Sequence, residues 1–133
     1  MPLPKRQGIR SSRREEDNLQ KAVVNHLRVR AYDEVIWWHT PNGEKRDKRT
    51  GAKLKAMGVK PGIPDLLFFH CARLFFIELK KTDGKGRLSK AQKERIAELE
   101  FQGAIGIVSS SLDEVLEFCE DNGLIRPSVM GEL

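Results

Sequence analysis

The chain has 133 residues, of which 39% are hydrophobic and 32% charged, and its formal net charge is +5. This length suits one domain with a modest core, and this composition excludes a wholly disordered chain. No run of residues approaches the roughly 20 apolar positions of a membrane span, so we expect a globular cytoplasmic protein with no membrane partner.

The charge is segregated along the sequence. Residues 1–14 carry several basic residues and no acid, and Lys45 to Lys60 is a second basic run against the single acid Asp47. The stretch from Asp113 to Asp121 is acidic. This pattern favours one face that meets phosphates and another that meets water. The alternative is a basic tail and loop that only keep the protein soluble.

The chain begins with a predicted tail and a predicted helix. Residues 1–12 have no apolar period and indicate a flexible basic tail. Leu19, Val23 and Leu27 then recur every four residues, which predicts an amphipathic helix from about Arg14 to Arg30.

A strand and a basic loop follow. Val35 to His39 is a short β-rich run closed by the turn signal Pro41-Asn-Gly43. The basic loop after it is predicted to hold one short helix around Ala52 to Met57. We expect Trp37 and Trp38 to pack in the core rather than stack on bases.

The second half predicts a hairpin followed by helix, strand and helix. Leu66 to Phe69 and Leu74 to Ile77 are dense apolar runs, typical of strands buried on both faces. Ser89 opens a helix to about Gln102, residues 104–108 form a strand, and a final helix ends near residue 122. The sequence therefore predicts an α/β domain over residues 13–122, with a mixed sheet covered by helices, and a C-terminal tail over 123–133.

We expect Asp65, Glu78 and Lys80 to lie close together where the two hairpin strands end. Side chains alternate along a strand, so Glu78 and Lys80 share one face. If the hairpin closes with a two-residue turn, Asp65 lies directly across from Glu78, with Cβ atoms roughly 5 Å apart. A three-residue turn would separate the two carboxylates instead.

Two carboxylates at this distance repel each other unless a positive charge lies between them. A divalent cation fits, because Mg²⁺ prefers carboxylate oxygens and waters, and Lys80 lies beside it. Glu16 points about 20° from the centre of the apolar stripe of the first helix, so it is a third candidate ligand. The alternative for Glu16 is a favourable acid near a helix N-terminus.

Gln92 has two possible roles. Ser89-Lys-Ala-Gln92 is a capping box, in which the glutamine bonds back to the backbone of Ser89. Gln92 also shares a helical face with Ile96 and Leu99, so its amide is alternatively directed toward the site. Cys71 and Cys119 are predicted to be ordinary reduced thiols, since no Cys or His pair has zinc-site spacing.

Several sequence blocks together resemble one nuclease family. Pro64-Asp65 followed by Glu78-Leu79-Lys80 is the PD-(D/E)XK pattern. With Glu16 before Leu19-Gln20, the turn ending at Gly43, the block Met57 to Leu66 and the block Leu88 to Gln92, the sequence resembles the VRR-Nuc (virus-type replication-repair nuclease) branch of that superfamily from about Glu16 to Glu120.

The resemblance implies a restriction-endonuclease-like fold and Mg²⁺- or Mn²⁺-dependent hydrolysis of DNA phosphodiesters, with no small-molecule cofactor. It implies metal ligands at Glu16, Asp65, Glu78 and the Leu79 carbonyl, and catalytic roles for Asp65, Glu78, Lys80 and Gln92. It also implies a homodimer similar to Holliday-junction resolvases.

The residues expected to contact DNA are polar, basic or turn residues around these blocks: Asn42, Gly43, Lys45, Arg46, Lys48, Arg49, Lys53, Lys85, Arg87 and Lys90. Two alternatives stay open. One is a flap or duplex nuclease of the same fold, and the other is a DNA-binding module without catalysis.

Overall fold

The computed structural model describes residues 4–41, 48–80 and 87–128, with side chains from residue 14 in the first helix and from residue 49 in the second. In chain order the elements are α1 (Pro4–Arg30), β1 (Ile36–His39), α2 (Lys48–Ala56), β2 (Leu66–His70), β3 (Arg73–Leu79), α3 (Lys90–Phe101), β4 (Ile105–Ser109) and α4 (Leu112–Asp121). No helix in these ranges is long and apolar enough to cross a membrane.

The described strands form one mixed sheet in the order β1-β2-β3-β4. The first three strands pair antiparallel, with the long segment that contains α2 between β1 and β2 and a two-residue turn between β2 and β3, whereas β4 runs parallel to β3. A parallel pair needs a crossover connection, and α3 provides it. The predicted α/β fold with a mixed sheet flanked by helices is confirmed.

Helices pack on both faces of the sheet. On one face, α1 and α4 enclose the larger core with Phe68 and Ile77. On the other face, Ile96 of α3 packs against Leu67 and Phe76 in a smaller core. Alternate residues of β3 therefore serve different cores, which explains its continuous apolar sequence.

The structure differs from the predicted bounds at both ends. Helix α1 begins at Pro4 rather than near Arg14, so most of the expected tail has helical backbone. Beyond residue 122, Leu124 and Ile125 are fully buried in the larger core. Ile125 bridges to Ala31, where α1 ends. Long-range packing of this kind leaves no local periodicity to read.

Arg126 fixes the same C-terminal segment to the end of α1. Its guanidinium lies 4.9 Å from the centre of the Tyr32 ring and donates to the Ala31 carbonyl at 2.8 Å. Arg30 donates to the Arg126 carbonyl at 2.8 Å and forms an ion pair with Glu120. These contacts hold the segment after α4 against the C-terminal end of α1.

The cysteines agree with the prediction, whereas one tryptophan does not. Cys71 and Cys119 are both free thiols, and burial raises the pKa of Cys119 to about 12, which keeps that thiol protonated. Trp37 packs against the larger core. The prediction for Trp38 was wrong, because its ring is on the other face and is 41% exposed.

The β2–β3 hairpin closes with two residues of unusual backbone. Cys71 and Ala72 have φ angles of 51° and 61°, the left-handed pair that a type I′ turn requires and that Asn-Gly adopts most easily. Replacing Cys71 with Asn and Ala72 with Gly is therefore expected to raise the free energy of unfolding by about 1 kcal/mol. Urea denaturation measures this gain.

The matched control for the Ala72→Gly half of this change is Ala97→Gly at an exposed position in α3. There the backbone is helical, so glycine is expected to lower stability by about 1 kcal/mol. A destabilised Asn-Gly hairpin would show that the turn is not strained.

Candidate active site

The predicted register of the hairpin is confirmed. Leu66 pairs with Ile77 and His70 with Arg73 around the two-residue turn, so Asp65, the residue directly before β2, is in register with Glu78. The Asp65 carboxylate Oδ2 accepts a hydrogen bond from the backbone nitrogen of Leu79 at 2.8 Å. The two acids thus meet where the hairpin strands end.

Glu78 is buried among apolar neighbours with only 2% of its surface exposed. Burial first, and then a hydrogen bond with the Asp65 carboxyl and the charge of that group, raise the pKa of Glu78 from 4.5 to about 9, while the charge of Lys80 lowers it. At neutral pH and without a cation, the pair therefore holds a proton between its two carboxyl groups.

Gln92 connects Glu78 to Lys80. Its Nε2 donates to Glu78 Oε2 at 3.0 Å, and its Oε1 accepts from Lys80 Nζ at 3.0 Å. Oε1 also accepts from the backbone nitrogen of Ser89 at 2.8 Å. If the amide were reversed, its NH₂ group would face the Lys80 ammonium and the Ser89 N–H, which are both donors. Only the present orientation gives each donor an acceptor.

The same glutamine completes the cap of α3. The Ser89 hydroxyl accepts from the Gln92 backbone nitrogen at 3.1 Å, and both halves of the capping box are formed. The two roles that the sequence offered for Gln92 are therefore combined in one side chain. Because the cap fixes the glutamine rotamer, the N-terminus of α3 positions the amide between Glu78 and Lys80.

Gly62 lets the loop before Asp65 approach this helix. Its φ is +82°, and a Cβ there would lie 2.8 Å from the Gln92 nitrogen and closer still to the Ala91 carbonyl. Only glycine fits at that distance. The loop that carries Asp65 and the helix that carries Gln92 are thus held in direct backbone contact.

His39 is a residue of this site that the sequence did not single out. Its Nδ1 lies 2.8 Å from the Asp65 carbonyl oxygen, which also accepts from the Thr40 nitrogen at 2.9 Å. A carbonyl oxygen only accepts, so Nδ1 carries the proton of this bond. The last residue of β1 and the residue after it thereby fix the backbone of Asp65, and only the strand pairing reveals this.

Both the backbone nitrogen and the side chain of Lys80 donate hydrogen bonds. Its nitrogen donates to the Ser109 carbonyl at 2.9 Å, which continues the parallel pairing of β3 with β4 beyond the last strand residue. Ser109 is itself buried. The ammonium group therefore extends from a fixed point beside Glu78.

Glu16 is half-buried on α1, and its charge contributes to the raised pKa of Glu78, although least among the causes. Within residues 4–41, 48–80 and 87–128, no three His, Cys, Asp or Glu side chains converge as a metal site. The structure thus brings the carboxyl groups of Asp65 and Glu78 together. Glu16 does not converge with them as a third carboxylate.

The expected DNA contacts fall into two groups. Arg49 and Lys53 are exposed on α2, which begins at Lys48, and Arg87 and Lys90 are exposed where α3 begins. The others lie outside the described residues: Asn42, Gly43, Lys45, Arg46 and Lys85. Arg87 and Lys90 are thus at the same end of α3 as Gln92, which contacts Glu78.

Comparison with known proteins identifies the family. No protein-family model matches the chain, and no curated protein matches it. A solved structure described as a "VRR_NUC domain protein" is similar, with 32% sequence identity and a TM-score of 0.62. The match covers 79% of this chain and 84% of that one. Identity at this level over most of both chains shows that this chain belongs to the VRR-Nuc family and has its nuclease-type domain.

Proposed function

We propose that this chain is a metal-dependent endodeoxyribonuclease that hydrolyses phosphodiester bonds in branched DNA, acting as a homodimer similar to a Holliday-junction resolvase. The observation that carries the proposal is the pair formed by the half-buried Asp65 and the buried Glu78, joined through Gln92 to Lys80. A purely structural role would not require a carboxyl group with so strongly raised a pKa at the end of apolar strands.

The chemistry of the acid pair fits a divalent cation. A cation between Asp65 and Glu78 would replace the proton that the pair holds without it, and two carboxylates with waters suffice for Mg²⁺ or Mn²⁺. We assign the Leu79 carbonyl and Glu16 as further ligands from the family resemblance. When bound, the metal supplies activation of water and stabilisation of negative charge on the phosphate.

Lys80 and Gln92 act from the chain itself. The Lys80 ammonium, directed by Gln92, lies beside the acid pair and stabilises the negative charge that develops on the phosphate oxygens as water attacks. Gln92 holds Glu78 and Lys80 in a fixed geometry and, through the cap, couples both to α3. Each residue thus has a role that a substitution can separate from folding.

The first test is a gel cleavage assay with Mg²⁺, Mn²⁺ or EDTA on four-way junction, flap and plain duplex DNA. We expect cutting that needs the metal, is strongest on branched DNA, and falls roughly hundredfold or more in Asp65→Ala and in Lys80→Ala. Glu117→Ala removes an exposed acid of α4, which packs on the other face of the sheet; it is the matched control and should cut normally.

The outcomes of this assay separate the alternatives. Equal cutting of duplex or flap DNA would replace the junction resolvase by a nuclease of broader specificity. Folded protein that binds every substrate and cuts none, with each metal, would support the binding module. Light scattering tests the homodimer, and a monomer that still cuts junctions would remove that part of the proposal.

The exposed basic residues are expected to bind phosphates. If Arg49, Lys53, Arg87 and Lys90 contact DNA, affinity should fall steeply as salt rises, and each alanine variant should reduce the slope of log K against log salt by about 1. Fluorescence anisotropy measures both. Arg73→Ala, an exposed arginine at the hairpin turn, should leave the slope unchanged. An equal change at Arg73 would point to a diffuse charge effect.

A further inference from the structure

Trp38 is a partly exposed aromatic residue next to the candidate active site. The residue is 41% exposed, whereas its neighbour Trp37 is on the opposite face and packs against the larger core. Exposing a large aromatic surface is costly, and such rings are enriched where a protein recognises a partner. The position of Trp38 therefore needs an explanation beyond packing.

The strand register places this ring on the same face as the acid pair. Trp38 pairs with Leu67, and Leu67 pairs with Phe76, so these three side chains form one row across the sheet. Asp65 precedes Leu67 by two residues and Glu78 follows Phe76 by two. Both acids thus lie in the next row on that face, and Asp65 is a diagonal neighbour of Trp38 at about 7–8 Å.

We propose that Trp38 stacks on a base that has left its stack next to the phosphodiester that is cut, as at a branch point, so that the substrate class is DNA with an unstacked or unpaired nucleotide at the cleavage point. This inference rests on the proposed function. Bases within a duplex are stacked about 3.4 Å apart on each strand, which leaves no space for an indole between them. A base that has left its stack gains a new partner on an aromatic ring.

A protein partner is the rival occupant of this face. Ile36 and Phe69 are exposed there too, 60% and 43%, and they pair with each other toward the hairpin turn. Aromatic side chains expose roughly 150–250 Å² at most, so these two residues and Trp38 together offer less than half of the roughly 800 Å² that a stable interface buries per partner. The small area and the nearby acids favour a nucleobase.

Tryptophan fluorescence tests the inference in a Trp37→Phe background, where Trp38 is the remaining indole. In EDTA, which prevents metal-dependent cutting, we expect quenching by a duplex that carries one unpaired nucleotide, and little change with the fully paired duplex of equal length. Equal quenching by both duplexes, or none by either, would overturn the proposal.

Affinity and cleavage of matched variants give the second measurement. We expect Trp38→Ala to bind the unpaired substrate roughly five- to a hundredfold more weakly and Trp38→Phe to retain most of the affinity. Phe69→Ala removes an equally exposed aromatic ring roughly 13 Å along β2 from Asp65 and should bind normally. Equal losses at Trp38 and Phe69, or a change of oligomeric state with Trp38→Ala, would assign the face to a protein partner and overturn the inference.

This design separates the inference from the proposed function. Wild-type protein that is quenched by the unpaired substrate but cuts no DNA with Mg²⁺ or Mn²⁺ would remove the nuclease and keep the base contact. Protein that cuts paired and unpaired duplexes equally, in wild type and in Trp38→Ala, would keep the nuclease and remove the role of Trp38.

Discussion

Glu78→Gln is expected to make the metal-free protein more stable while it abolishes cleavage. Glutamine reproduces the protonated carboxyl group: its oxygen accepts from Gln92 Nε2, and its amide donates to Asp65. The substitution removes a buried group that must otherwise ionise or hold a proton, and it also removes a carboxylate that the cation would need. Stability and activity should thus change in opposite directions.

The sign of the pH dependence follows from the raised pKa. Folded Glu78 has a pKa of about 9 against 4.5 when unfolded, so the folded protein holds a proton that the unfolded chain releases over this interval. The stability that this proton contributes is fully present below pH 4.5 and is lost as pH rises toward 9. In EDTA, the melting temperature of the wild type should fall between pH 5 and pH 9 more than that of Glu78→Gln.

Calorimetry of both proteins across this range measures the effect, which we expect to reach at least about 3 °C at pH 9. Glu94→Gln neutralises an exposed acid on α3 and should leave the pH dependence unchanged. If Glu78→Gln melts below the wild type at pH 9, ionisation of the buried carboxyl group does not lower the stability of the wild type. Retained cleavage would remove Glu78 from the site.

Gly62→Ala is expected to reduce the proposed cleavage strongly, although Gly62 is not itself a catalytic residue. The new Cβ would collide with backbone atoms of Ala91 and Gln92, so the loop carrying Asp65 and the helix carrying Gln92 must separate. Backbone cannot yield as a flexible side chain does, and a displacement of about 1 Å at a catalytic group costs roughly a hundredfold in rate. We expect a loss of that size in cleavage, together with a lower melting temperature.

Gly58→Ala separates the collision from the backbone strain. Gly58 has a φ of +97°, similar to the +82° of Gly62, but nothing lies within 4 Å of its Cβ position. Alanine there should cost about 1 kcal/mol of stability and leave the cleavage rate unchanged. If both variants cut equally well, the contact between loop and helix does not control the site.

The sequence predicted those parts of the site that depend on local spacing. Alternation along β3 placed Glu78 and Lys80 on one face, and the two-residue turn placed Asp65 opposite Glu78, as the register confirms. The capping box at Ser89 was read from four consecutive residues. In each case the deciding contact lies within one hairpin or one helical turn.

Contacts between distant segments were beyond local reading. The bond from His39 to the Asp65 carbonyl depends on how β1 pairs with β2, and the approach of Gly62 to α3 depends on packing across the sheet. Trp38 was misplaced because an alternating strand puts neighbouring aromatics on opposite faces, and the sequence does not show which of the two faces is covered at β1. The start of α1 at Pro4 could not be predicted, because residues 1–12 have no apolar period.

The attachment of residues 124–126 to the end of α1 bears on how the chain folds during synthesis. Leu124 and Ile125 share one core with Val23 and Leu27. A growing polypeptide therefore cannot complete that core until residues 124 and 125 have left the ribosome. Until then the apolar stripe of α1 lacks part of its cover. Nascent chains that stall earlier should therefore engage chaperones, which recognise exposed apolar surface.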